Sequence, residues 1–133
     1  MIKADLGRRS VIIGLVGPLG AGKTTLTKLL AKELGIKQII VSPTFVLNSE
    51  YTIQDLGFKV RLQHIDCWRM EDFDELRNTG LGRMLQNKDL IVIEWAEKFR
   101  PEILDLGSLA KIIWVEMEYG EKENERKIQI TGY

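Results

Sequence analysis

The clearest pattern in the chain is an unbroken apolar run over residues 11–16, followed by a glycine-rich segment and then by helical periodicity. The run shows no polar alternation, which predicts a strand buried on both faces, as in a parallel sheet. Over residues 23–34, Leu26, Leu29, Leu30 and Leu34 recur at helical spacing, with Lys28, Lys32 and Glu33 mostly elsewhere. This predicts an amphipathic helix that Gly35 ends. Residues 38–41 read as a short strand. Ser42-Pro43-Thr44 breaks it, because Pro43 has no N–H to give to a ladder. Residues 45–53 and 59–65 are rich in β-branched and aromatic side chains and flank Gln54-Asp55-Leu56-Gly57, the pattern of an antiparallel hairpin. Residues 71–77 and 81–85 read as helical turns parted by Thr79-Gly80. A further buried strand is expected over 90–93. Residues 97–104 are mostly helical, with Pro101 acceptable only near a boundary. Strands over 110–117 and 126–131 close the chain, joined by a charged, solvated turn at 118–125. The order of strand, glycine loop, helix and further strands predicts a three-layer α/β domain, with the two middle strands as an antiparallel flank.

Composition narrows this picture. The 133 residues carry 19 Lys+Arg and 19 Asp+Glu, so the formal net charge is zero, and 44% are hydrophobic. Enough apolar surface exists for one core, which predicts a single domain over residues 1–133 and excludes a disordered chain. Zero net charge argues against strong autonomous RNA binding. The lone cysteine, Cys67, excludes an internal disulfide and a Cys-rich zinc site. The first residues do not read as a signal peptide, and no apolar run approaches the ~20 residues that span a bilayer. A cytoplasmic protein with no membrane contact is expected.

The chemistry is carried by Gly17-Pro18-Leu19-Gly20-Ala21-Gly22-Lys23-Thr24, which matches the Walker A phosphate-loop pattern. Glycines let successive backbone N–H groups point into one concavity and keep side chains away from phosphate. The following helix offers its N-terminus to the anion. Lys23 adds a charge at the terminal phosphates, and Thr24 a hydroxyl for Mg²⁺. Two acids, Asp66 and Glu94, end apolar strands, where ligands of open α/β sheets bind. Either is suited to the Mg²⁺ shell or to positioning the attacking water, and spacing does not choose between them. Several residues read as structural on their own. Thr44 is a turn threonine, His64 a strand residue with a satisfied ring, and Cys67 a small buried residue. Trp68, Trp95 and Trp114 are core candidates, with Trp95, next to Glu94, alternatively placed against the nucleotide site, and Arg69 is expected in a structural ion pair.

Taken together, GPLGAGKTT, SPTF, HIDCWR and IEWAEK, in this order, resemble the TsaE (YjeE) family of small bacterial ATPases, from about residue 11 to the C-terminus. The resemblance implies a P-loop NTPase three-layer sandwich, mostly parallel with antiparallel flanking strands. It implies ATP and Mg²⁺ as ligands and slow hydrolysis that resets a TsaB–TsaD complex making threonylcarbamoyladenosine on tRNA, with tRNA met only through that complex. Lys23 and Thr24 match the family's phosphate and Mg²⁺ contacts, Thr44 its switch-like threonine, Asp66 and Glu94 its two acids, and Trp95 the tryptophan beside the nucleotide. The expected site thus holds Lys23, Asp66 and Glu94 for catalysis. Gly17, Leu19, Gly20, Ala21, Gly22, Lys23, Thr24, Thr25, Thr44 and Trp95 would hold nucleotide, and Thr24, Asp66 and Glu94 metal. The segment before the first strand is shorter than is usual in the family, which predicts a less base-selective site. Trp68 stands where tyrosine is common. A nucleotide-gated binding module with incidental hydrolysis is the main alternative. A small-molecule kinase is disfavoured by the short chain and the lack of an evident substrate lid.

Overall fold

The computed structural model describes residues 5–18, 22–37, 48–53 and 60–132. They build a six-stranded sheet. In chain order the elements are β1 (Ser10–Val16), α1 (Lys23–Glu33), β2 (Asn48–Ile53), β3 (Val60–Asp66), α2 (Phe73–Arg77), α3 (Leu81–Gln86) and β4 (Leu90–Glu94). A 3₁₀ turn (Ala96–Phe99), α4 (Arg100–Leu104), a second 3₁₀ turn (Asp105–Ser108), β5 (Ala110–Tyr119) and β6 (Arg126–Gly132) follow. The strand order is β2-β3-β4-β1-β5-β6. The four inner strands pair in parallel, and β2 and β6 are added antiparallel at the two edges. The mostly parallel sheet with antiparallel flanks is therefore as the sequence predicts. The expected strand over residues 38–41 and the turn over 54–57 lie outside the described residues.

Side-chain alternation divides the inner strands between two apolar layers. Val11, Ile13 and Leu15 of β1 join Leu90, Val92, Ile113 and Val115 in one layer, which Ala31 and Leu34 cover from the α1 side. Ile12 joins Ile65, Ile91, Ile93, Ile112 and Trp114 in the other, under Leu76, Leu81, Met84 and Ile103 of α2, α3 and α4. Helices thus cover both faces, which is why β1 shows no polar alternation. Gly14 is required on the second face: a Cβ there would lie 2.7 Å from the Trp114 ring. In α1 the buried stripe is Lys23, Thr27, Ala31 and then Leu34, whereas Leu29 is exposed, against the expected leucine face. Leu26 and Leu30 are only partly buried against the same layer. Pro101 falls in the first turn of α4, where its missing N–H leaves no bond unmade.

Candidate functional site

The parallel strands aim their carboxyl ends at one edge, where Gly17, Lys23, Asp66, Glu94 and Trp95 lie together. β1 ends at Val16 and the chain enters the glycine loop. Gly17 is confined by packing, since a Cβ would come within 2.6 Å of the Met117 carbonyl oxygen and its φ is +155°. Gly22, at φ 102°, turns the chain in a left-handed conformation into α1. No side chain caps that helix and no acid lies in its first turn, so its N-terminal amides are left for an anion. Thr24 is half-buried in this first turn and Thr25 exposed. Leu19, Gly20, Ala21 and Thr44 lie outside the described residues.

Lys23 is buried, and its Nζ donates to the Gly17 carbonyl at 2.8 Å while lying 3.5 Å from the centroid of the Trp95 ring. Desolvation pulls its pKa below the usual lysine value, against the raising effect of Glu97, Glu94 and Asp66. Trp95 reaches this position because its backbone is left-handed (φ 59°), turning the chain from β4 into the 3₁₀ turn. A non-glycine residue in that region carries a cost of order 1–3 kcal/mol. The ring over Lys23 gives the strain its structural use.

Asp66 and Glu94 are register partners on the adjacent parallel strands β3 and β4. Both face the α1 side by alternation from Leu62 and Val92. Burial pushes the Asp66 carboxyl above its usual range, the Trp68 N–H at 2.8 Å pulls it down, and Glu94 raises it further. Among the described residues no group of three or more His, Cys, Asp or Glu gathers for a metal. Two carboxylates nevertheless fit Mg²⁺, which commonly takes one or two carboxylates and fills its shell with phosphate oxygens and water. The uncapped helix N-terminus and the buried ammonium likewise fit a polyphosphate. An open cleft of about 390 Å³ continues from this edge, lined by Gly17, Pro18, Trp95, Glu97, Glu116 and Glu118 among others.

Two residues join the site that sequence reasoning left out of it. His64 is fully buried and its Nε2 lies 2.5 Å from Glu94 Oε2. With Glu94 ionised, that nitrogen is the donor, and Nδ1 is buried without a partner among the described residues. The ring is thus bonded as expected, but to a predicted site acid. The signal was available: His64 precedes Asp66 by two, which places both on one face of a strand. Glu97 is the acid with the strongest influence on Lys23. Its position depends on the left-handed Trp95, which linear spacing does not reveal. Trp114 is buried as expected, but Trp68 is 54% exposed. It is held outward by its backbone bonds and by the Trp95 ring, at 4.4 Å between centroids. Arg69 is exposed and makes no ion pair among the described residues. Cys67 is buried, its thiol pushed up to about 12 by desolvation, so it is no nucleophile near neutrality.

A buried strand and an uncapped helix either side of residues 17–22, with acids on the neighbouring strand ends, define an α/β protein with a mostly parallel sheet and antiparallel edge strands. The family profile described as "Threonylcarbamoyl adenosine biosynthesis protein TsaE" matches residues 2–128, and the chain belongs to that family, which takes part in tRNA threonylcarbamoyladenosine biosynthesis. The chain is 39% identical to the tRNA threonylcarbamoyladenosine biosynthesis protein TsaE of Aquifex aeolicus, over 96% of this chain and 81% of that one. The Streptomyces coelicolor protein of the same name is also 39% identical, over 97% and 84%. With the Bacillus subtilis protein the identity is 39% over 77% of this chain, spanning 61% of its relative. The crystal structure of Bacillus subtilis YdiB superposes with a TM-score of 0.62 at 26% identity, over 93% of this chain and 69% of that one. Among the described residues no helix is long and apolar enough to cross a membrane.

Proposed function

We propose that this chain is a Mg²⁺-dependent ATPase that supports threonylcarbamoyladenosine modification of tRNA in the cytoplasm by resetting a TsaB–TsaD complex between rounds. The observation that carries the reading is the meeting of buried Lys23, the uncapped head of α1 and the Asp66–Glu94 pair at one sheet edge. The loop and α1 amides would bind the phosphates. Lys23 would leave the Gly17 carbonyl and the Trp95 ring to neutralise their charge. Thr24 with Asp66 or Glu94 would hold Mg²⁺, which when bound supplies charge neutralisation at the phosphate oxygens. The other acid would orient the attacking water, and His64 fixes Glu94 for either task.

Arg100 is engaged by Glu116 at 3.6 Å and by the Trp114 ring. Lys23 is the cation held within the site itself, and a single resident charge on the transferring group predicts slow turnover until a partner adds stabilisation. The same observation favours the alternative of a nucleotide-gated binding module, in which the long-lived bound state matters and hydrolysis is incidental. Phosphate release from MgATP, measured for the chain alone and with TsaB–TsaD, tests both. Slow release that rises strongly with the pair supports the ATPase reading. If a non-hydrolysable analogue suffices for repeated rounds of modification, the gated module replaces it.

A further inference from the structure

Trp68 has no task in the chemistry proposed above, and indoles are ordinarily well covered. Its backbone N–H donates to Asp66 Oδ1 at 2.8 Å, and its backbone carbonyl accepts from Lys98 Nζ at 2.9 Å. Its ring contacts the Trp95 ring, tilted by 43°, and Trp95 in turn carries the Lys23 ammonium. Two groups of the candidate site therefore bear on one exposed residue: Asp66 on its backbone amide, and Lys23 on its ring through Trp95.

The setting of this indole indicates what would meet it. The adjacent Arg69 is exposed and without an ion pair among the described residues. Trp and Arg are the side chains most enriched where protein–protein binding energy concentrates. The segment that follows carries exposed Glu71, Asp72, Asp74 and Glu75. Four acids beside the indole oppose a phosphate backbone, so a nucleic-acid strand is the poorer match. A protein presenting an apolar pocket for the ring, with a carboxylate for Arg69, is the better one.

We propose that Trp68, with Arg69, forms the contact through which a partner protein reads the state of the nucleotide site, an inference that rests on the ATPase reading above. Phosphate drawing Lys23 away removes the cation from Trp95. A metal ion drawing on Asp66 weakens its bond to the Trp68 amide. Both restraints on the Trp68 segment then change together, and the indole presented to the partner differs between empty and loaded states.

The test uses the whole chain with Trp68→Ala and Trp68→Phe. MgATP affinity and partner-free phosphate release are measured first, then stimulation by TsaB–TsaD. For Trp68→Ala the first two should stay within about threefold while stimulation falls by about tenfold or more, the scale of losing an interface hot spot. Trp68→Phe, which keeps a ring, should restore most of it. Equal stimulation of wild type and Trp68→Ala overturns the proposal and leaves the ATPase reading intact. No stimulation of the wild type removes that reading, and this proposal with it. Loss of MgATP affinity in Trp68→Ala also overturns the proposal, by moving Trp68 into the nucleotide site. Acrylamide quenching adds an independent readout, because Trp114 is buried and Trp95 half-buried. TsaB–TsaD with a non-hydrolysable ATP analogue should protect the readily quenched indole. Protection by tRNA alone would assign the surface to nucleic acid and overturn the proposal.

Discussion

The Lys23 ammonium lies on the face of the Trp95 ring while bonded to the carbonyl of Gly17, the first residue of its own loop. Nucleotide binding on the proposed reading must break both contacts, so Trp95 emission should change when MgATP is added. Lys23→Ala should weaken triphosphate binding by about 10- to 150-fold, the range for a hydrogen bond to a charged group. Calorimetric titration checks this, and retained affinity together with retained turnover would remove the assignment of the loop.

His64 and Glu94 make a buried pair with almost no solvent access. His64→Ala leaves the carboxylate buried without its partner, so stability should fall by about 3–5 kcal/mol in urea unfolding. Glu94→Gln keeps a hydrogen-bonding group and should lose much less stability while losing turnover. A near-neutral His64→Ala would mean that the pair does not organise this edge.

Asp66 holds its proton more tightly in the folded chain than in the unfolded one. Its contribution to stability therefore falls as pH rises from 3.8 through the raised folded value, and stays at its lowest above that. Asp66→Asn should stabilise the nucleotide-free protein at neutral pH and flatten that part of the profile. Lys23 works at the other end: with its folded pKa below 10.5, its charge opposes folding at neutral pH, and stability is regained as pH rises through the lowered value. Urea midpoints measured across pH for wild type and Asp66→Asn decide the matter; parallel curves would refute it. The same Asp66→Asn protein separates the roles of the acids. Lost Mg²⁺-dependent binding marks Asp66 as the metal holder, and unchanged binding with lost turnover marks it as the group that positions water.

Gly17 and Gly82 give a matched comparison. Gly17→Ala forces a Cβ against the Met117 carbonyl and should cost about 1–3 kcal/mol along with nucleotide affinity. Gly82→Ala in α3 meets nothing within 4 Å. There the change should be neutral or stabilising by up to about 1 kcal/mol, the helix preference for alanine. Thermal melts should show Gly17→Ala lowered and Gly82→Ala unchanged or raised.

Most of the architecture could be read from periodicity, because burial on two faces and on one leaves different patterns. The apolar β1 and the β2–β3 hairpin were legible for this reason. The packing face of α1 was not: the leucines are conspicuous in the sequence, but the most deeply buried positions of the helix are Lys23, Thr27 and Ala31, while Leu29 points to solvent. Trp68 shows the converse, since hydropathy assigns an indole to the core while backbone bonds to Asp66 and Lys98 hold this one at the surface. In the site, Lys23, Asp66 and Glu94 were legible from motif and strand ends. Glu97 was hidden because a left-handed residue, not a spacing rule, determines where it lies. His64 was hidden only because its two-residue step to Asp66 was not followed onto the neighbouring strand.

Asp66 and Glu94 sit side by side on adjacent strands, so their separation follows the interstrand pitch of about 4.8 Å. That spacing is a property of the sheet and cannot be retuned by altering the loops around it. Changes in the connecting segments leave the spacing of the two backbones as the sheet sets it, and only the side-chain rotamers adjust the distance between the carboxyl groups. Only a slip of β3 against β4 would alter that backbone spacing, and by alternation a one-residue slip would turn one acid to the opposite face.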